Sequence, residues 1–226
     1  MAEFDQYSEN YKEVLNSSVD FSGEDSSYFV NYKANYIVQL LGPDFKGKIL
    51  DFGCGVGLLL EALAEKLPLA EVHGYDVSLE SLAILASRLG RPVKTFSQIV
   101  DLDKDYAVVV VSNVLHHIPP SQRKTAFANL YESLGIGGQI IVVEHNPLNP
   151  LTQWVVKHCP FDDDAILLKM GETCERAKMA GFKILRKYFI VFFPKTMSWL
   201  RHLEAKLKWL CLGAQYVVVG QKEKNG

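Results

Sequence analysis

The sequence predicts an α/β fold built on one doubly wound, mostly parallel sheet. Three observations carry that prediction. Apolar runs of strand length alternate with segments of helical apolar spacing through most of the chain. Two of the runs, Tyr106–Asn113 (YAVVVVSN) and Gln139–Glu144 (QIIVVE), are unbroken and rich in β-branched residues, as strands covered on both faces are. Glycines 53, 55 and 57 stand where the first strand run gives way to a helical segment, within ILDFGCGVGLLLEAL. In open parallel sheets that junction lies at the ligand-binding mouth.

The elements follow in order. Ser27–Leu41 has helical spacing and stops at Gly42-Pro43. Lys48–Gly53 reads as the first strand and Leu58–Leu67 as a helix ended by Pro68. Val72–Asp76 is strand-like, and Leu79–Leu89 is helical with Ser78 as its N-cap. Val93–Phe96 is a short strand, followed by Tyr106–Asn113. A helix over Ser121–Leu134 follows Pro119-Pro120 and ends before Gly135. After Gln139–Glu144 come a helix at Thr173–Ala180, closed by Gly181, and strands at Phe182–Phe193 and Gln215–Gln221. These last two have no helical crossover between them, which predicts an antiparallel final strand at one side of a seven-stranded sheet.

The 226 residues, 48% hydrophobic and 22% charged, suit one domain. Within it we expect an N-terminal helical cap over 1–45, a binding core over 46–145, and cap insertions at 146–172 and 194–212. The net charge of −2 gives no case for a nucleic-acid partner. No apolar run reaches the ~18 residues of a membrane span. The polar start MAEFDQYSENYKEV does not read as a secretory signal, and the four cysteines are scattered, so a reducing cytoplasm is expected. A zinc site from His158, Cys159 and Cys174 fits no known ligand spacing, and no metal is expected. The Asp162–Asp164 triplet is read as a solvated loop capping a helix over AILLKM (165–170), rather than as a cation site.

Glycines at the junction let the backbone adopt positive φ and let a ligand approach the main chain. A dinucleotide loop wants G-x-G-x-x-G, yet here Leu58 stands at the last position. LDFGCGVG (50–57) instead resembles the first motif of class I S-adenosylmethionine (SAM)-dependent methyltransferases. GYDVS (74–78), SNVLHHIP (112–119) and LGIGGQIIVVE (134–144) resemble that family's later motifs, in order and in register. The resemblance implies a Rossmann-like sheet with helices on both faces, SAM as cofactor and S-adenosylhomocysteine as product.

It also implies residue roles. Asp76 is expected to accept both ribose hydroxyls, with Val77 beside it. Gly53, Cys54 and Gly55 would meet the methionine end of SAM. Asp51 would hold the loop or, through water, the SAM ammonium. Ser97 and Gln98 match the adenine-side positions, although neither is acidic as the family usually has it. Asn113, Val114 and Leu115 would run along the cofactor. Tyr11 would cap it from the N-terminal segment, and Lys33 would pair with its carboxylate.

Methyl transfer is an in-line displacement in which the enzyme aligns donor and acceptor. A hydroxyl acceptor gains from a base, and histidine suits that task. His116, His117 and His145 follow the two central strands and are the catalytic candidates, with His145 favoured as base or acceptor-orienting group. The expected acceptor is a small molecule, including a glycan- or lipid-linked one. Residues 196–211 carry apolar residues at helical spacing with Arg201, His202, Lys206 and Lys208 on another face. They predict a basic amphipathic helix, either a lid packed on its own domain or a peripheral membrane contact. A SAM-binding protein without turnover and a nicotinamide-dependent oxidoreductase are the competing readings.

Overall fold

The computed structural model describes residues 16, 19, 22–89 and 93–223. The predicted Tyr11 contact lies outside them. The described elements, in chain order, are α1 (Ser26–Leu41), β1 (Lys48–Phe52), α2 (Leu58–Lys66), β2 (Glu71–Tyr75), α3 (Leu79–Leu89), β3 (Thr95–Phe96) and β4 (Tyr106–Ser112). They continue with α4 (Arg123–Ser133), β5 (Leu134–His145), α5 (Pro150–His158), α6 (Met170–Met179), β6 (Phe182–Ile190), α7 (Glu204–Leu207) and β7 (Gln215–Lys222). The strands form one seven-stranded sheet in the order β3-β2-β1-β4-β5-β7-β6. β7 runs antiparallel to both of its neighbours, and the other pairings are parallel.

Alternation along the central strands sends side chains to two separate cores. Ile49, Val108, Val110, Ile141 and Val143 pack with Leu60 and Leu63 of α2 and Leu85 of α3. Leu50, Val109, Val111, Ile140 and Val142 pack on the other face with Phe127 and Leu130 of α4 and Ala177 of α6. Strands buried on both faces need apolar residues at every position, which is why their sequence shows no polar alternation. Each fully buried aliphatic side chain contributes about 1.5–3 kcal/mol.

The helix starts follow their capping residues. Asp25 caps α1 by accepting the Tyr28 amide, and Ser78 Oγ accepts the Ser81 amide at 3.0 Å. Asn149 caps α5 through the Thr152 amide, and Pro150 opens that helix.

Three expectations change. β5 starts at Leu134 rather than Gln139, because Leu134 pairs with Tyr106 across a bulge and Gly137, at φ +81°, supplies the turn. Residues 165–169 form no helix, and the next one starts only at Met170, so Asp162–Asp164 does not cap a helix over 165–170. The amphipathic helix over 196–211 does not form as one piece. Lys195–Leu203 is 3-10 in character with a break at Met197, and only Glu204–Leu207 is α-helical.

Glu204 explains that outcome. It is buried, with Oε1 accepting the Phe192 and Phe193 amides at 3.0 and 3.2 Å and Oε2 accepting the Tyr32 hydroxyl at 3.2 Å. Arg201 turns inward to the Tyr28 ring at 4.4 Å and to Glu24 at 2.9 Å, and Lys208 reaches the Tyr188 ring at 4.8 Å. The cations therefore do not share one solvent face. No helix among the described residues is long and apolar enough to cross a membrane.

Candidate active site

β1 and β4 lie side by side at the centre of the sheet, and the chain winds outward from them in opposite directions. Such a switch point leaves a crevice outside the carboxyl ends of the strands. Here it is a cleft of about 770 Å³ running from the glycine loop to the histidines.

The loop end is built first. Gly53 and Cys54 both donate their amides to Tyr75 O, at 2.7 and 2.9 Å, which ties the turn to the end of β2. Gly53 has φ +76°, and a Cβ there would stand 2.4 Å from Val114 Cγ2. Gly55 has φ +51° with no atom within 4 Å of a Cβ position, so its bare backbone faces open space. Asp76 accepts the Gly55 amide on Oδ2 at 2.7 Å and the Ser78 amide on Oδ1 at 2.9 Å. A carboxylate oxygen has two lone pairs and can accept more than one donor.

Beneath the loop lies a buried charge pair. Lys33 donates to Ser112 Oγ at 2.9 Å, and burial pulls its pKa down to about 8 against the carboxylates of Glu144 and Asp51. Burial drives Asp51 up to about 7 although Lys33 opposes it, and Asp51 Oδ2 has no hydrogen-bond partner. An orphaned buried carboxylate oxygen below a glycine loop fits a ligand that brings a cationic group. The open face at Gly55 and the acceptor pair of Asp76 fit a ribose-bearing one. SAM has both features.

The other end is organised by Glu144 at the end of β5. It is 1% exposed, and Oε1 accepts the Val114 and Leu115 amides at 2.9 and 2.6 Å. Its Oε2 accepts His116 Nδ1–H at 2.6 Å. His116 Nε2 faces Asp162 Oδ1 at 3.2 Å, and His117 Nδ1 donates to Asp164 Oδ1 at 3.0 Å. Burial pulls His116 down, but Glu144 and Asp162 outweigh it and hold its pKa at about 9. Burial and the neighbouring His116 charge lower His117, and the same two causes press His145 down to about 4. His145 is therefore an unprotonated imidazole at neutral pH, 5.2 Å ring to ring from His116.

The structure brings Gly53, Gly55, Asp76, Val77, Asn113, Val114, His116, His117 and His145 to the wall of the cleft. Asn113 holds φ +56°, uncommon for a residue other than glycine. Lys33, Asp51 and Cys54 lie behind the wall; Cys54 is buried in the core and its amide is already bonded. Leu115 is fully buried, with its amide bonded to Glu144. Ser97 and Gln98 stay outside the wall, and Ile99 takes that side instead.

Sequence reasoning missed Glu144 as the organiser of the turn after β4, although it ends the quoted stretch LGIGGQIIVVE. It also missed Asp162 and Asp164, which no local signal connects to histidines 45 or more residues earlier. Gln122, at the N-cap of α4, and Thr125 and Asn129 within it complete the far wall.

Comparison with known proteins agrees with this geometry. Residues 50–140 match the family described as a methyltransferase domain. The chain is 34% identical over 98 residues to a ubiquinone biosynthesis O-methyltransferase of Photorhabdus laumondii, covering 40% of each chain. The match thus spans less than half of that relative's length. Its fold resembles a SAM-dependent methyltransferase of Archaeoglobus fulgidus, with TM-score 0.69 and 14% identity, over 88% of this chain and 95% of that one. It also resembles a SAM-dependent methyltransferase of Thermotoga maritima, described as a possible histamine N-methyltransferase, with TM-score 0.69 and 18% identity over 98% and 99% of the chains. The sheet order, the glycine loop with its acidic partner and the match over residues 50–140 together identify a methyltransferase domain on a Rossmann-like sheet, the fold of these SAM-dependent methyltransferases.

Proposed function

We propose that the protein transfers a methyl group from SAM to a hydroxyl of a small molecule, including one carried on a glycan or a lipid. One observation carries this reading: a single cleft joins the Gly53–Asp76 end, suited to a nucleoside, to the histidine end, suited to an oxygen acceptor. The name of the Photorhabdus relative, an O-methyltransferase, supports oxygen over nitrogen. When bound, SAM supplies a methyl carbon already activated by its sulfonium.

The chain's own residues then have defined tasks. Asp76 accepts hydrogen bonds from the ribose hydroxyls while its amide bonds keep the loop in place. Asp51 compensates the ammonium and Lys33 balances the charge beneath it. Phe52 and Tyr75, stacked at 4.6 Å, form an apolar wall that keeps water from the donor. His145 is too weak a base, at about 4, to remove an ordinary hydroxyl proton alone. Its neutral ring instead accepts a hydrogen bond from the acceptor hydroxyl and orients the oxygen for in-line attack.

The test is calorimetric titration with S-adenosylhomocysteine, beside Asp76→Asn. We expect saturable binding in the wild type, weakened about 10- to 100-fold by the loss of charge-assisted hydrogen bonds. Absence of binding in the wild type, or equal affinity in the variant, overturns the assignment. Mass-spectrometric detection of methylated product across a panel of phenols and sugars separates turnover from binding alone.

A further inference from the structure

The cluster at the far end of the cleft has a geometry that a network of ion pairs does not require. Two imidazoles converge on one carboxylate oxygen. His116 Nε2 lies 3.2 Å and His117 Nε2 3.5 Å from the same Asp162 Oδ1. One ligand atom from each of the three residues lies within 4.8 Å of the others. We propose that His116, His117 and Asp162 form a binding site for one divalent transition-metal ion of the zinc class.

Distance supports this first. Ligand atoms around a tetrahedral ion at ~2.0–2.1 Å stand about 3.3 Å apart. Both edges to Asp162, at 3.2 and 3.5 Å, match that spacing, and the third is no longer than 4.8 Å.

The surroundings support it independently. Metal-ligating histidines present one nitrogen to the ion and donate the other N–H to a carboxylate or carbonyl, which fixes ring orientation. Here His116 gives Nδ1–H to Glu144 and His117 gives Nδ1–H to Asp164. Each histidine therefore has its own supporting carboxylate, and each presents Nε2 to the same Asp162 oxygen. The supports are anchored differently: Glu144 belongs to the central strand β5, and Asp164 to the loop before α6. Arg123 pins that loop, since its guanidinium donates to Ile118 O and Ile166 O and pairs with Glu172.

Ligand chemistry selects the ion. Two imidazoles and one carboxylate suit zinc, cobalt or iron(II), whereas magnesium and calcium prefer all-oxygen sets. All three ligands line the cleft, so the remaining coordination positions face the space assigned to the acceptor.

The catalytic consequence, unlike the site itself, rests on the methyltransferase reading. A Lewis acid here lowers the pKa of an acceptor hydroxyl. The O–H bond breaks with its proton leaving to bulk water, the oxygen lone pair forms the O–CH₃ bond, and the S–CH₃ bond electrons return to sulfur.

The experiment uses the full chain stripped with a chelator and titrated with Co²⁺, read by its visible d–d absorption, and with Zn²⁺ by calorimetry. We expect one equivalent with a tetrahedral-type cobalt spectrum. His117→Ala and the conservative Asp162→Asn should each weaken binding at least ~10-fold, and Asp164→Asn about 10-fold. Asp163→Asn should bind like the wild type, and circular dichroism checks that each variant is folded. Absence of binding in the wild type, or binding that His117→Ala and Asp162→Asn leave unchanged, overturns the proposal. S-adenosylhomocysteine titration of the stripped protein keeps the two readings apart. Nucleoside binding without metal binding defeats only the metal site; metal binding without nucleoside binding defeats only the cofactor assignment.

Discussion

Asp51→Asn should make the protein more stable while weakening its cofactor site. The side chain is 2% exposed, and one of its oxygens has no hydrogen-bond partner. Its carboxyl rises from 3.8 to about 7 because burial outweighs the attraction of Lys33. Ionising it inside the fold therefore costs about 4 kcal/mol more than in the unfolded chain. The folded pKa lies above the unfolded one, so the folded chain binds the proton more tightly. That stabilisation is complete below pH 3.8 and is lost as pH rises through about 7. Asparagine carries no such proton.

The advantage of the variant over the wild type should then grow by about 2.5 kcal/mol between pH 5 and pH 7.5. Any pH-independent cost of seating the amide cancels in that difference. Lys33 has the opposite sign: its pKa is lowered to about 8, so its contribution to stability rises with pH above that value, which is why the window stops at 7.5. Urea unfolding at the two pH values measures the difference. At neutral pH the variant should bind S-adenosylhomocysteine at least ~10-fold more weakly, having lost a buried charged partner. A stability difference that stays constant within about 0.5 kcal/mol between the two pH values would refute the argument, because Asp51 would then ionise normally inside the fold.

Other substitutions test other parts. Gly53→Ala should cost about 2–4 kcal/mol in urea unfolding, combining positive-φ strain with overlap against Val114. Adding Val114→Ala should recover the overlap part. Gly55→Ala meets no neighbour and should cost only about 1–2 kcal/mol of strain while still weakening S-adenosylhomocysteine binding by calorimetry. Arg123→Ala should destabilise by about 3 kcal/mol, since two carbonyls and Glu172 lose a charged donor, and should increase amide exchange in residues 162–169. His145→Gln should lower kcat about 100-fold in a methyl-transfer assay without changing S-adenosylhomocysteine affinity, if its task is acceptor orientation.

The strand–helix alternation and the glycine spacing were enough to read the sheet, its doubly wound order and the glycine-loop end of the cleft. Those features are local: an unbroken β-branched run declares a strand buried on both faces, and three glycines at a strand–helix junction declare a backbone that must stay bare. Gly53, Gly55, Asp76 and Asn113 were legible because each stands at the end of a strand whose position follows from its own neighbours. Local pattern failed where a distant partner overrode it. The apolar spacing of 196–211 reads as one helix, yet Glu204 is drawn inward by the amides of Phe192 and Phe193 and the Tyr32 hydroxyl, and the segment breaks at Met197. Asp162–Asp164 reads as a solvated turn, yet two of its carboxylates meet His116 and His117. These outcomes depend on the folded arrangement, because a polar group's partner is set by which strands and loops share one end of the sheet. Periodicity records which face a residue shows, but not what the folded chain brings to meet it.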